Sequence, residues 1–564
     1  MGGEELDYIK LSLADWLYNA GIIGLVNILK HANDEVDING QDITIKTDIL
    51  ENFEEKYFRY FIDTYEESLS WYKIVSFEKF ITKFENENFE SFDEKSLDML
   101  NEYIGSGTKS GSIKYYLNSN SYKAAYKLID NQFDIEKAEK NLTPIKVKKG
   151  ERFCVEDVKE TFSKIRDIIS YCKEPNTKRY LAGKNVVYTI IKNAWNGVAF
   201  LNPQTKIPDM YIDYKEYFVD KTIEYTMQDA SKYKYNCFVC TNKTKDISND
   251  LSFLNMTGFD TNRKPSHVWN FVNDIIVCPI CKLVYSCVPA GFLYVYGNGI
   301  FVNDNQSVNS SEKINYNIKH EILHNEDSKG IYNAFGTMIK ALHERINDSQ
   351  KYELADIQVV QYEDEKYRFN LLSKNVLKVL YDSKEELNSL IKTGFQEVKT
   401  YFRLYDEVMK SLLNNENLFI LIHKVIVIKI TSPKDAKYNE SHIRNLIKIN
   451  LKYMKGVGYM EGTEKDIVKT ASGAGYYLRE AYKSKNSENK LNGISYRLLN
   501  ALKTSNKNMF MDTILNCYLY TSKPVPTFIT ECLKDDNVFK TIGYAFVTGL
   551  IDGKKTENID GGDK

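Results

Sequence analysis

The chain has 564 residues, 43% hydrophobic and 27% charged, an ordinary globular composition with room for roughly three or four domains of ~150 residues. Its 75 Lys and Arg nearly cancel 77 Asp and Glu, a net charge of −2, which excludes a uniformly basic coat or tail protein but not one whose charge is segregated. The start is acidic where a signal peptide is cationic, and the apolar runs Ala20–Leu29 and Leu418–Ile430 are too short to span a bilayer, so a cytoplasmic chain with no membrane partner is expected.

Leu11, Leu13, Trp16, Leu17, Ala20, Ile23 and Ile28 recur at threes and fours and predict a first helix; Tyr57–Ile62 predicts a second, buried one. Residues 31–104 hold 7 basic against 19 acidic residues, a net of −12, whereas residues 142–195 hold 12 against 6, a net of +6. Between them Gly105–Gly111 resembles a phosphate-binding loop but lacks the Gly-Lys arrangement of a Walker A motif. Lys109 is left as a candidate phosphate contact on a flexible linker. The basic stretch offers Lys146, Lys148, Lys149, Lys178, Arg179 and Lys184 as a cationic track, and the 105–111 loop and Lys184-Asn185 are the two candidates for base contacts.

From about 205 to 300 turn residues, aromatics and short apolar runs such as Ile275–Val277 and Phe292–Tyr296 predict strands. Within this stretch stand Cys237-Phe238-Val239-Cys240 and, 37 residues later, Cys278-Pro279-Ile280-Cys281. Each turn aims two sulfurs at one point, and two such turns complete a tetrahedral thiolate shell suited to one structural Zn²⁺ with no open catalytic position. The alternatives are redox pairs or unconnected core cysteines. Cys287 receives no role, and Cys154, Cys172, Cys517 and Cys532 are expected to be buried small hydrophobes.

His320-Glu321-Ile322-Leu323-His324 matches the metallopeptidase pattern H-E-x-x-H, with Glu344 and Asp348 at third-ligand spacing. Ile314, Tyr316, Ile318, His320 and Ile322 alternate, however, which predicts a strand. Residues four apart on a strand sit ~13 Å from each other and cannot share an ion. Asp356–Tyr362 predicts another strand. After about 390 the spacing of Phe395, Val398, Tyr401, Phe402, Tyr405 and Val408, then of Ile494, Leu498, Leu499 and Leu502, then of Phe510, Ile514 and Leu515, predicts a helical bundle. Residues 437–510 carry 14 basic against 6 acidic residues, a net of +8, with Arg444, Lys448, Lys452 and Lys455 along one helix face.

The fold expected is α+β: a mixed N-terminal region (1–235) with a zinc-knuckle insertion (236–300), a continuation of the mixed domain (301–390), an all-α C-terminal bundle (391–552) and a disordered tail (553–564). No helicase or HD nuclease motif is present, which favours a binding protein over a nuclease.

Asp15–Leu29, the paired Cys-x-x-Cys turns, and the stretches Gly475–Arg479 and Ile494–Lys503 together resemble the CXXC–CXXC family of CRISPR-associated proteins, over about residues 11–550. The resemblance implies a non-catalytic large subunit of a type I-B CRISPR interference (Cascade) complex in antiviral defence. Such a subunit helps bind crRNA and target double-stranded DNA, recognises the PAM, guides the displaced strand, contacts other Cascade subunits and receives a helicase-nuclease in trans. Arg479, Arg497 and Lys503 join the candidate nucleic-acid contacts on this basis. The competing readings are the H-E-x-x-H zinc peptidase and a zinc-ribbon scaffold binding only proteins.

Overall fold

The structure, a computed structural model, describes residues 7–105, 110–147, 152–245, 251–254, 276–295, 298–324, 357–363, 366–372, 374–460 and 466–552. The fold is α+β: helices dominate, the sheets are small, and the C-terminal region is helical. The chain divides into two compact units, Met1–Tyr316 with Val360–Phe369, and Asn317–Val359 with Asn370–Lys564.

The first unit opens with a three-stranded antiparallel sheet of β1 (Tyr8–Ser12), β2 (Asp37–Asn39) and β3 (Asp42–Lys46), with β3 in the middle. Leu11 therefore lies on a strand, not on the first helix. Its period-two burial with Ile9 decides the conformation, and the helix begins only where Asp15 accepts from the Leu17 and Tyr18 N–H groups. That helix, α1 (Trp16–His31), buries every residue from Leu17 to Val26, on all its sides, and sits in the core. Helix α2 (Phe53–Thr64) confirms the second predicted helix, with Tyr57, Phe58 and Phe61 fully buried. Two longer helices follow, α3 (Val155–Lys173) and α4 (Pro175–Thr189), the latter with proline in its first turn.

The stretch 205–300 is less extended than expected. It holds short helices such as Met210–Tyr214 and Asp220–Thr226, a two-residue hairpin of β4 (Tyr235–Asn236) and β5 (Lys243–Thr244), and helix α5 (Pro279–Ser286). Ile276 and Val277 are buried without being a strand, and Ile275 and Tyr296 lie outside the described residues. β6 (Leu293–Val295), β7 (Asn298–Asn303), β8 (Ile357–Glu363) and β9 (Lys366–Leu372) form a four-stranded sheet in that order, which confirms the strands expected near 293 and 357.

Residues 314–322 are helical, within α6 (Val308–His324), where a strand was expected. The same isoleucines that alternate also fall four apart, and Ile314, Ile318 and Ile322 are buried together while Tyr316 is exposed. Length favours the helix: 17 residues exceed any half-buried strand.

The second unit comprises α7 (Lys374–Asp382), α8 (Lys384–Leu390), a hairpin of β10 (Gly394–Glu397) and β11 (Thr400–Arg403), and then α9 (Leu404–Leu413) and α10 (Phe419–Thr431). The helix expected from Phe395 starts only at Leu404. Val398 takes a left-handed φ of 57° at the hairpin tip, and Phe395 stacks across the strands on Phe402. β12 (Ala436–Lys437) closes the small sheet on β10. There follow α11 (Glu440–Gly456), α12 (Ile467–Ser484), α13 (Leu491–Lys503), α14 (Lys507–Thr521) and α15 (Asp536–Ile551). Helices α12 and α15 pack backbone to backbone: a Cβ at Gly549 would lie 1.8 Å from the Ser472 carbonyl oxygen. Among the described residues no helix is long and apolar enough to cross a membrane. The tail after Asp552 lies outside them.

Candidate metal centre and charged surfaces

The first cysteine pair sits in the turn between β4 and β5. The Cys237 N–H donates to the Asn242 carbonyl (2.8 Å), the Thr241 N–H to the Cys237 carbonyl (3.0 Å), and Thr241 turns the chain with a φ of 62°. The Phe238 N–H donates to the Ile276 carbonyl (2.7 Å), which lashes this knuckle to the approach of the second. There Cys278 is the N-cap of α5, Pro279 fixes the first helical residue, and the Cys281 N–H points at the Cys278 Sγ (3.5 Å). A helix N-terminus with inward N–H groups stabilises thiolate.

The four sulfurs, from Cys237, Cys240, Cys278 and Cys281, lie within 4.8 Å of one another, with Cys240 and Cys278 at 3.6 Å. A tetrahedral ion with bonds of about 2.3 Å needs sulfurs about 3.8 Å apart, so the set fits one metal ion, while a disulfide needs about 2.05 Å. All nine cysteines are free thiols. Three of the four ligands are buried and Cys240 is half-buried. The Cys237 thiol is held low by hydrogen bonding to the Cys240, Cys278 and Cys281 thiols. Those of Cys278 and Cys281 are pushed well up, first by hydrogen bonding to Cys237 and Cys240 and then by burial. Four thiols so close cannot all ionise without a cation between them. When bound, such an ion supplies cross-linking and no open coordination position for a substrate.

Two groups around the site carried no sequence signal. The Tyr18 hydroxyl from α1 is 3.4 Å from the Cys281 Sγ, and the buried Lys282 ammonium is 3.1 Å from the Tyr217 hydroxyl. Behind the cysteines, buried and half-buried side chains satisfy the carbonyls of Ser286, Ala290 and Phe292. Tyr57 and the Trp195 indole donate to Ser286, Tyr60 and Asn27 to Ala290, and Tyr65 to Phe292. Part of the chain's 41 tyrosines is spent here, joining an apolar ring to a polar tip.

Cys287 is buried, its thiol pushed up to about 12 by burial. Cys172, Cys517 and Cys532 are buried as expected, but Cys154 is exposed, because it precedes α3 on a polar approach instead of packing within it. The H-E-x-x-H residues occupy the last turns of α6, so the strand objection does not hold. His320 is exposed, Glu344 and Asp348 lie outside the described residues, and among the described residues only the four cysteines gather as a metal-binding set.

The basic stretch 142–195 meets the acidic stretch 31–104 face to face. Lys178 lies 2.7 Å from Glu66 and over the Trp71 ring; Arg179 pairs with Glu55 and stacks 3.6 Å from the Tyr211 ring centre; Arg166 pairs with Glu85 and Lys173 with Glu78. Lys184 is half-buried, and desolvation lowers its pKa against the pull of Asp209 and Asp213; Asn185 accepts from the Ser70 N–H (2.9 Å). Lys146 is exposed; Lys109, Lys148 and Lys149 lie outside the described residues. In the bundle Arg444 pairs with Asp552 (2.8 Å), Lys452 with Glu386 (2.9 Å), and the buried Arg479 with Glu480 and Glu488. Lys448, Lys455, Arg497 and Lys503 are exposed, and among the described residues Lys448, Arg497 and Lys503 form no ion pair. Exposed tyrosines accompany them: Tyr476 and Tyr477 on α12, Tyr496 on α13, and Tyr520 on α14 flanked by Lys485 and Lys490 at 5.2 and 4.5 Å.

Residues 230–293, which span both knuckles and α5, match the family described as CRISPR-associated protein (Cas_CXXC_CXXC). The match, which centres on the cysteine cluster and covers only this segment, supports a CRISPR-associated role. No curated protein and no solved structure matches the chain significantly.

Proposed function

We propose that the chain is the non-catalytic large subunit of a type I-B Cascade complex, working in the cytoplasm with crRNA, target DNA and the other subunits, and receiving a helicase-nuclease in trans. The observation that carries this reading is the family match on the four-cysteine segment. In this reading the ion is Zn²⁺ and its work is structural, because four sulfurs leave no reactive position. The second unit supports the nucleic-acid role. Its exposed cations can track a backbone, and its exposed tyrosines offer faces on which unpaired bases stack, a sequence-tolerant mode suited to a displaced strand.

Expression of the chain with its neighbouring genes tests the proposal. A ribonucleoprotein should form, with one zinc per chain and with target-DNA affinity that falls steeply as salt rises. A chain that purifies without RNA and without protein partners at low salt would refute it.

A further inference from the structure

We infer that Tyr18 of α1 donates a hydrogen bond to the metal-bound sulfur of Cys281, so that the ion and the N-terminal helix stabilise each other. The inference rests on the reading of the four cysteines as a metal site. Tyr18 is 263 residues from Cys281 in sequence, and its hydroxyl lies 3.4 Å from the sulfur in a buried setting. A metal-bound thiolate has no proton to give, so the hydroxyl is the donor. The ring is held edge-on against Tyr285 at 5.3 Å, and Tyr285 reaches back to the α1 cap, Asp15 (3.4 Å). The close approach that delivers the hydroxyl depends on missing side chains. A Cβ at Gly24 would lie 2.0 Å from the Cys287 carbonyl oxygen, and one at Gly291 would lie 2.1 Å from that of Ala20. Helix α1 thus lies on the segment that follows the second knuckle with no layer of side chains between them at these points.

Hydrogen bonds to metal-bound ligands typically change metal affinity by about 10–100-fold. The test compares Tyr18→Phe with Tyr57→Phe in the full chain. Tyr57 is an equally buried tyrosine that donates to the Ser286 carbonyl and touches no ligand sulfur. Competition with a zinc chelator should show affinity about 10-fold weaker for Tyr18→Phe and unchanged for Tyr57→Phe, and the sulfur-to-cobalt charge-transfer band of the Co²⁺-loaded chain should shift only in Tyr18→Phe. Equal chelator curves for Tyr18→Phe and wild type would overturn the inference. Should Tyr18→Phe not fold, hydrogen exchange on the wild-type chain decides: residues 16–31 should lose protection when the metal is stripped, and unchanged protection there refutes the coupling. A wild-type chain that binds no metal would instead overturn the metal reading, and this inference with it.

Discussion

The two basic stretches of this protein look alike in sequence and behave differently in the fold. Residues 142–195, at +6, lie against residues 31–104, at −12, and their Arg166, Lys173, Lys178 and Arg179 are engaged by Glu85, Glu78, Glu66 and Glu55. Residues 437–510, at +8, have no such acidic counterpart in sequence, and Lys448, Arg497 and Lys503 project from the bundle without ion pairs among the described residues. A run of charge is therefore a surface only when nothing across the fold neutralises it. The units also differ in what holds them: the first contains the four-thiol site with tyrosine hydroxyls bonded behind it, and among the described residues the second has no such cysteine cluster.

The largest expected effect separates these two modes of stabilisation. Cys278→Ser should abolish metal binding, which in such sites is worth about 10–16 kcal/mol, and the first unit should become protease-sensitive while the second stays resistant. Limited proteolysis followed by mass spectrometry reads both units at once; loss of both together would erase the distinction. Gly24→Ala comes next, because its Cβ meets a backbone carbonyl that cannot move freely. A cost of about 3 kcal/mol by urea denaturation is expected, confined to the first unit.

Charge reversal sharpens the contrast between the basic stretches. Lys448→Glu with Arg497→Glu and Lys503→Glu should weaken single-stranded DNA binding about 10-fold or more and flatten its salt dependence, whatever the sequence. Lys178→Glu with Arg179→Glu should leave binding unchanged and lower stability by about 1 kcal/mol for each pair lost. The reverse pattern, measured by fluorescence anisotropy, would relocate the track to the first unit.

The smallest effect is in pH dependence. Asp406, in the first turn of α9, is pushed up to about 7, mainly by burial, with Arg403 opposing. Between about pH 4 and 7 the folded chain keeps a proton there that the unfolded chain has lost, so this group makes the second unit less stable as pH rises. Asp406→Asn should remove that slope and raise stability at pH 7.5 but not at pH 4. The first unit should run the other way, losing its metal as acid protonates the thiols. Parallel pH profiles for the two units, from urea titrations, would contradict this.

The sequence by itself determined what depends on neighbouring residues: the two Cys-x-x-Cys turns and their one-point geometry, the buried α2, the strand at Ile357–Glu363, and helices α13 and α14 with their polar breaks. Local periodicity failed where one set of residues satisfies two periods, as Ile314, Ile318 and Ile322 do, or where a hairpin imitates helical spacing, as Phe395 and Phe402 do. The tertiary structure alone decided that Tyr18 reaches Cys281, that Gly24 and Gly291 let two backbones touch, and that one basic stretch pairs with a distant acidic stretch while Lys448, Arg497 and Lys503 of the other form no ion pair among the described residues. Those are contacts between residues tens to hundreds of positions apart, and no window along the chain contains both partners.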